Sequence, residues 1–239
     1  EVETQLVTTN DVNKRNYLNF FPSAHFSYQL KKDNSLQLGY SRRIRRPRSY
    51  WWLPFFSFVD ARSNASGNPN INPEYTDSYE LGYLFNWETG SILSNVYYRH
   101  STDIIQSVSF IDSTGLTQIR PSNIGIQDSY GVEFNLANDI TDWWSTNANV
   151  NLYASTITGN SSVYNLNSDY LSWNTRLSSK MKFAGFNFQT TLVYRAPEDT
   201  PQGENLSMWW LDFGLSKDIM DNNATLTLSG NDVFSTRRR

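Results

Sequence analysis

Residues 171–194 read LSWNTRLSSKMKFAGFNFQTTLVY, a stretch in which apolar and polar side chains alternate. Most of the alternate residues from Leu171 to Phe183 are apolar. The six positions between them are all polar: Ser172, Asn174, Arg176, Ser178, Lys180 and Lys182. A two-residue turn at Ala184-Gly185 would place Phe183 opposite Phe186, and both side chains are apolar. The stretch therefore predicts a β-hairpin with one apolar face and one polar face.

The same alternation recurs along the chain, for example in Ser78–Trp87. Further strands are predicted at Asn19–Leu30, Ser35–Arg43, Ser91–Phe110, Gln127–Asn138, Trp143–Thr156, Trp209–Asp218 and Ala224–Val233. With the opening segment Glu1–Thr9, this makes about eleven strands, many of about ten residues or more. Strands of globular proteins have about 5–6 residues, whereas a tilted strand needs about 9–11 to cross a bilayer. The length of the predicted strands therefore indicates an all-β fold of the antiparallel transmembrane β-barrel type, rather than a soluble sandwich.

The predicted connections alternate between short and long. The short ones are Lys31–Asn34, Glu88–Gly90, Asn138–Asp142, Ala184-Gly185 and Asp221–Asn223. The long ones are Arg42–Tyr75, Ile111–Ile126, Ile157–Asp169 and Ala196–Ser207. Outer-membrane barrels have short periplasmic turns and long extracellular loops. We therefore expect Lys31, Asp142 and Asn222 to face the periplasm, and Trp51 and Gly203 to face the outside.

Aromatic residues gather near both ends of the predicted strands. Those near the short turns are Trp87, Trp143, Trp144, Phe183 and Phe186. Those near the long loops are Tyr40, Tyr170, Trp173, Tyr194 and Trp209. Two aromatic girdles at the membrane interfaces would give this distribution. On this pattern Trp209 belongs to a girdle, and its neighbour Trp210 faces the lumen.

The composition agrees with a barrel and excludes several other classes. Only 38% of the 239 residues are hydrophobic and 15% are aromatic, and the mean hydropathy is −0.55. A barrel needs an apolar residue only at every second position, whereas a membrane helix needs about 20 in a row. The net charge of −3 argues against nucleic acid as a partner. The absence of cysteine excludes disulfides and zinc–thiolate sites.

Several segments resemble the barrels of TonB-dependent receptors of the Bacteroidetes type, within the outer-membrane β-barrel family. They are YSRRIRRP at Tyr40–Pro47, GNPNINPEYTDSYELGY at Gly67–Tyr83, YGVEF at Tyr130–Phe134, APEDTPQG at Ala196–Gly203 and NDVFSTRR at Asn231–Arg238. None of these segments is a catalytic signature. The resemblance implies a protein of the bacterial outer membrane, not an enzyme, that takes part in the energised uptake of a nutrient such as a siderophore, a glycan or a peptide.

In that family a complete receptor has an N-terminal plug domain, a TonB box and a barrel of 22 strands. No signal peptide, plug or TonB box is recognisable in this sequence, and the odd strand count suggests that both ends are cut. The resemblance thus implies that residues 1–239 are a C-terminal portion of a barrel, with about 10–11 of its strands. The partners it implies are outer-membrane lipid and lipopolysaccharide, a small nutrient ligand, TonB through the missing N-terminal part, and in some cases a surface lipoprotein.

A basic cluster is the strongest candidate for a ligand-binding site. Its members are Arg42, Arg43, Arg45, Arg46 and Arg48. Guanidinium groups at the outer mouth could bind an anionic ligand or lipopolysaccharide phosphates. Alternatively they pair with loop carboxylates such as Asp60 and Glu74 and fix the loop, and this second interpretation is favoured because the cluster is part of a family-like segment.

An aromatic loop follows the basic cluster. It contains Tyr50, Trp51, Trp52, Phe55, Phe56 and Phe58. These rings could stack on a sugar or on a siderophore ring, or they could pack against the plug and neighbouring loops. Packing is favoured, because aromatic clusters usually bury themselves. The candidate ligand-binding residues at the outer mouth are nevertheless Arg42, Arg43, Arg45, Arg46, Trp51 and Trp52.

No catalytic, cofactor or metal site is predicted. His25 and His100 are the only histidines, and nothing in the sequence pairs them with a nucleophile or a second ligand. Glu80 and Glu133 lie on polar strand faces, where hydrogen-bond networks explain them better than paired acid–base catalysis. Segment Asp60–Asn72 is rich in oxygen ligands but lacks the regular spacing of a calcium loop.

A soluble carbohydrate-binding sandwich, or lectin, is the alternative function. It would account for the tryptophans and for the polar surface. It accounts neither for the long strands nor for the alternation of short and long connections.

Overall fold

A computed structural model of the chain describes residues 2–6, 11–15, 18–53, 55–159, 165–220 and 223–237. In chain order the strands are β1 (Val2–Leu6), β2 (Asp11–Arg15), β3 (Ser23–Lys31), β4 (Asn34–Arg45), β5 (Phe56–Asp60), β6 (Ser63–Ser66), β7 (Glu74–Trp87), β8 (Gly90–Thr102), β9 (Ile105–Ile111), β10 (Thr117–Asn123), β11 (Gly125–Thr141), β12 (Trp144–Gly159), β13 (Ser168–Phe183), β14 (Phe186–Arg195), β15 (Glu198–Thr200), β16 (Gly203–Asn205), β17 (Met208–Ile219) and β18 (Ala224–Gly230). One short 3-10 helix, η1 (Ser49–Trp52), lies between β4 and β5.

Ten long strands form one antiparallel sheet, in the order β3-β4-β7-β8-β11-β12-β13-β14-β17-β18. The longest are β11 with 17 residues, and β12 and β13 with 16 each. Within the described residues β3 and β18 are the two edges, so the sheet does not close on itself. The predicted all-β antiparallel fold is confirmed. The opening segment is different, because within the described residues β1 pairs only with β2, in a separate hairpin.

The β13–β14 hairpin has the predicted register. Phe183 pairs with Phe186, and the turn between them has positive φ angles of 51° at Ala184 and 77° at Gly185. Two successive left-handed residues make the turn whose twist matches that of paired strands, and glycine adopts this conformation without strain. The turn therefore fixes which residues of β13 and β14 share a face.

Burial in the sheet is the reverse of that in a soluble protein. Small polar side chains such as Ser155 and Ser172 are 2% exposed, whereas Leu171 is 70% exposed and Val96 56%. The buried side chains of the ten-stranded sheet all lie on its polar face, which indicates that this face is the concave one. Trp210 lies on it and is 7% exposed, while Trp209 lies on the opposite face, as the alternation predicted.

The predicted strand Ser91–Phe110 is wrong as a single element. β8 ends at Thr102, Asp103 adopts a left-handed φ of 55°, and the chain then turns away and continues as β9. Aspartate tolerates this conformation better than most residues, so it can end a strand without a glycine. The apolar alternation continues through the break, and for this reason the sequence did not reveal it.

β9 belongs to a second sheet, the loop sheet, with the order β5-β6-β10-β9. Its strands come from two different long connections, and β6 pairs with β10 in parallel. One apolar cluster beside it contains Trp52, Ile71 and Ile105, with Trp51 packed against them. Another contains Ile104, Val108, Ile124, Ile157 and Leu166. The long connections are thus a folded layer with its own core.

The predicted turns at Lys31–Asn34 and Glu88–Gly90 agree with the structure, whereas β11 continues through most of the predicted connection Asn138–Asp142 and ends at Thr141. The chain reverses at residues 32–33, 88–89 and 142–143, all at the end of the sheet opposite the loop sheet. Asn222 lies outside the described residues. No helix in the described part of the chain has the length and hydrophobicity needed to cross a bilayer.

Phe134→Arg tests which face meets lipid. Phe134 lies on the apolar face of β11 and is 43% exposed. We expect this substitution to lower the free energy of unfolding by about 2–4 kcal/mol, the usual cost of an arginine facing hydrocarbon near the midplane. The measurement is urea unfolding of the intact protein in lipid vesicles.

Asn95→Arg is the matched control. Asn95 pairs with Glu133, the residue before Phe134, and lies on the polar face at the same level. It should be tolerated within about 1 kcal/mol, because the new charge faces water and Glu133. Equal costs for the two substitutions would contradict the assignment of the faces.

Candidate functional site

The sheet separates the arginines of the basic cluster. Arg42 lies on the apolar face, where its guanidinium is 3.3 Å from the Asp77 carboxylate and 5.5 Å from the centre of the Tyr75 ring. Arg45 lies on the polar face, pairs with Glu74 at 2.8 Å, and donates a 2.7 Å hydrogen bond to the carbonyl of Ile105. Arg42 thus connects β4 to β7, and Arg45 connects β4 to the start of β9.

Arg43 and Arg46 differ from these two. Both are exposed, and neither forms an ion pair or a hydrogen bond with another of the described residues. Arg43 pairs with Thr76 and lies on the polar face. Arg48, just before η1, donates to the Tyr50 hydroxyl at 2.9 Å, and its guanidinium lies 5.6 Å from the centre of the Trp51 ring. Within the basic cluster, Arg43 and Arg46 are therefore the charges available to a ligand.

The two predicted tryptophans pack within the loops. Trp52 is 9% exposed and its indole N–H lies 3.4 Å from the carbonyl oxygen of Ile71. Gly67 allows this packing, because its N–H bonds to the Leu53 carbonyl at 3.1 Å and a Cβ there would lie only 2.2 Å from the same oxygen. Trp51 is half-buried against the Trp52 cluster. The assignment of both rings to ligand binding stays a prediction.

Only one of the two carboxylates suggested as partners reaches an arginine. Glu74 pairs with Arg45 and also accepts a 3.0 Å hydrogen bond from the Ile105 N–H, so it joins the end of β4 to the start of β9. Asp60 instead accepts the Arg62 N–H at 2.7 Å and closes the β5–β6 turn.

A tyrosine row crosses four strands on the apolar face, on the side of the loop sheet. Tyr40, Tyr79, Tyr98 and Tyr130 are directly paired neighbours. The Tyr40 hydroxyl donates to Asp77 at 2.8 Å, and that of Tyr98 donates to Asp128 at 2.6 Å. Rings below and carboxylates above are the arrangement expected where hydrocarbon gives way to headgroups.

The two glutamates of the polar face take part in hydrogen-bond networks. Glu133 accepts from the amides of Asn149 at 2.6 Å and Asn135 at 3.2 Å, while Glu80 accepts from the Ser78 hydroxyl at 3.0 Å. His100 lies on the other face, 2.7 Å from Asp128. Among the described residues, no group of three or more His, Cys, Asp or Glu side chains could hold a metal ion.

The sequence did not indicate one further feature, a cleft of about 830 Å³ at the polar face. It lies between the β15–β16 hairpin and the adjoining ends of the long strands. Its lining includes Asn174, Arg195, Glu198, Glu204, Asn205 and Met208. These residues come from three neighbouring strands, β13, β14 and β17, and from the hairpin that connects the last two.

Comparison with known proteins gives one family and one fold. The sequence matches the outer membrane protein beta-barrel family over residues 1–239. The siderophore receptor PirA from Pseudomonas aeruginosa is similar in structure, with a TM-score of 0.63 and 16% identity over 92% of this chain and 39% of that one. The copper transporter OprC gives a TM-score of 0.60 and 18% identity, over 94% of this chain and 35% of that one.

A mutant of the ferric enterobactin receptor PfeA from Pseudomonas aeruginosa is a third similar structure, with a TM-score of 0.59 and 13% identity over 90% of this chain and 35% of that one. The chain thus spans between 35% and 39% of the length of these three proteins. All three are named as receptors or transporters. A search of curated protein sequences found no significant match.

Arg45→Gln tests the structural role of the Arg45–Glu74 pair. Since this pair fixes the start of β9, we expect the Ile105 amide to exchange with deuterium about two- to fivefold faster in the variant. Arg43→Gln, two residues away on the same face, should leave that rate unchanged. Hydrogen exchange measured by mass spectrometry gives both values, and an equal response of the two variants would contradict the distinction.

Asp112, in the β9–β10 turn, gives a pH-dependent prediction. Hydrogen bonds from the side chains of Thr114 and Gln118 lower its pKa from 3.8 to about 2. A lowered pKa means that the carboxylate stabilises the turn above about pH 4, and that this contribution is lost as the pH falls from about 4 to 2.

The Asp112 carboxyl carbon should therefore titrate with a midpoint near pH 2 in the NMR spectrum of the intact protein. Thr114→Ala should move the midpoint toward 3.8, because a donor to the carboxylate is lost. A midpoint at or above 3.8 in the unsubstituted protein would rule out this network.

Proposed function

Because the chain belongs to the outer membrane protein beta-barrel family, we propose that it is part of the wall of a TonB-dependent receptor that takes up a small nutrient. Proteins of this family lie in the bacterial outer membrane. The observation that carries the proposal is the ten-stranded antiparallel sheet, with its apolar face exposed and its polar face sheltered. A wall of this kind separates lipid from a polar interior.

The sheet also supports an orientation. Outer-membrane barrels place short turns in the periplasm and long loops outside, so the loop sheet and the basic cluster would face the medium. The tyrosine row would then lie at the outer boundary of the hydrocarbon. The charged residues above it, Arg42, Asp77, His100 and Asp128, would meet the lipopolysaccharide headgroups.

We propose a metal-bearing small solute as the first class of nutrient to test, ahead of glycans and peptides. The similar structures are named as receptors for siderophores or for ferric enterobactin, and as a copper transporter. Arg43 and Arg46 would attract an anionic complex of this kind at the mouth, since guanidinium groups bind carboxylate oxygens well. Trp51 and Trp52 would support the loop that follows these arginines.

The rest of the receptor would supply the remaining parts. We propose that the chain is a C-terminal portion of a 22-stranded barrel, because its segments resemble that part of such receptors; it covers 39% of the PirA receptor. A plug, the contact with TonB and any surface lipoprotein would belong to the remainder. The Bacteroidetes type stays a prediction. The outer-membrane family match argues against the soluble lectin alternative.

Uptake by cells tests this proposal. Deleting the gene of the intact receptor should abolish accumulation of at least one solute from a panel of radiolabelled ferric siderophores and copper. A strain that lacks TonB should show the same loss, because transport would need its energy. Uptake that continues without TonB would contradict energised transport, and a receptor found outside the outer-membrane fraction would contradict the location.

The combined substitution Arg43→Gln and Arg46→Gln tests the mouth. We expect uptake of an anionic solute at low concentration to fall at least about fivefold, because two favourable charge contacts are lost. Lys31→Gln, at the opposite end of the sheet, is the control and should keep full uptake. Equal uptake by all three proteins would remove these arginines from the site.

A further inference from the structure

The β15–β16 hairpin folds inward over the polar face. It leaves the sheet at Ala196, which is 8% exposed and whose N–H bonds to the Trp173 carbonyl at 2.9 Å. The hairpin turns at residues 201–202 and returns at Met208, where β17 begins. A loop between two barrel strands could extend freely into solvent, so this inward course needs a cause.

One cause is a tie at the base of the hairpin. The hydroxyl of Tyr153 donates a hydrogen bond to the carboxylate of Glu198. Tyr153 belongs to β12, and the hairpin starts from β14, so the hairpin has to cross β13 to make this contact. The Ser172 hydroxyl on β13 lies 3.5 Å from the carbonyl oxygen of Ala196 beneath it.

The second cause is a clamp at the tip. The side-chain amide of Gln202 accepts the Ser109 N–H at 2.8 Å and donates to the Ser109 carbonyl at 2.9 Å. One side chain therefore satisfies both backbone groups of a residue on β9, as a neighbouring strand would. β9 is an edge of the loop sheet, and the clamp joins two loops that are 93 residues apart in sequence.

The space between the hairpin and the sheet is the cleft of about 830 Å³ described above. That volume is within the range of small-molecule sites, about 300–1,000 Å³. Arg195 lines the cleft. Its guanidinium lies 5.4 Å from the centre of the Trp210 ring and forms no ion pair with another of the described residues. The amides of Asn174 and Asn205 add donors and acceptors, so the lining suits a hydrophilic solute.

We propose that the β15–β16 hairpin is a strap over a solute cleft, and that the Gln202–Ser109 clamp is the latch that holds it closed. Opening of the latch would let a hydrophilic solute reach the cleft, where Arg195, Asn174 and Glu204 would bind its polar groups. Closure would shield the solute from the medium. The strap proposal rests on the proposed function in one respect: it assumes that solute arrives from the side of the loops.

Hydrogen exchange in the intact receptor tests the latch. Gln202→Ala should raise the exchange rates of hairpin amides in residues 198–205, and that of the Ser109 amide, about tenfold, because two hydrogen bonds are lost together. Gln29→Ala is the matched control, since the Gln29 amide also bonds to backbone carbonyls, those of Lys31 and Lys32, but at the far end of the sheet. Unchanged hairpin exchange in Gln202→Ala would overturn the latch.

Thiol labelling tests whether the strap covers the cleft. Residues 1–239 contain no cysteine, so Asn174→Cys places the one thiol of this part of the receptor in the wall of the cleft. A maleimide fluorophore should label it at least about fivefold faster when Gln202→Ala is added, and at an unchanged rate when Gln29→Ala is added. Equal labelling rates with and without the latch would overturn the proposal.

Both measurements are independent of transport, and a boiling-dependent change of gel mobility confirms that each variant is folded. They can therefore fail while receptor-mediated uptake is intact, or succeed in a receptor whose solute is different. The strap proposal stands only if both exchange and labelling increase.

Discussion

Hydrogen bonding of the backbone in hydrocarbon is the constraint on which the rest of this structure depends. A chain that crosses lipid as strands has to pair every N–H and C=O with a neighbouring strand, because the lipid offers no partner. The ten-stranded sheet meets this condition along its inner strands. It also separates side chains strictly into two sets, since successive residues point to opposite faces. The apolar set can then face lipid while the polar set forms a sheltered, hydrogen-bonded wall.

The same separation organises the candidate site. Arg42 and Arg43 are adjacent in sequence but lie on opposite faces, so one pairs with Asp77 among the tyrosines and the other faces the interior. Above the sheet the constraint no longer applies, and the loops fold as a small soluble layer with buried Trp52 and Ile71. The β15–β16 hairpin joins this layer to the polar face. The mouth is therefore a folded structure whose parts hold one another in place.

Much of the sheet could be predicted from the sequence, because its strongest signal is local. Alternation and the Ala184-Gly185 turn gave the register of β13 and β14 and the facing of Trp209 and Trp210. The same alternation places Arg42 and Arg43 on opposite faces, so the basic cluster is divided between the two sides of the sheet. The break at Asp103 and the Gln202–Ser109 clamp could not be predicted, because the apolar pattern runs through the first and the second joins residues far apart in sequence.

The most direct test of the account is to measure which face of β13 meets lipid. Spin labels placed one at a time at positions 171–183 of the intact protein in bilayers report collisions with oxygen, which concentrates in lipid, and with a water-soluble nickel complex. We predict that oxygen accessibility peaks at the odd-numbered positions from 171 to 181, and that nickel accessibility is higher at the even-numbered positions from 174 to 182. Water accessibility at every position, with no period of two, would contradict the account.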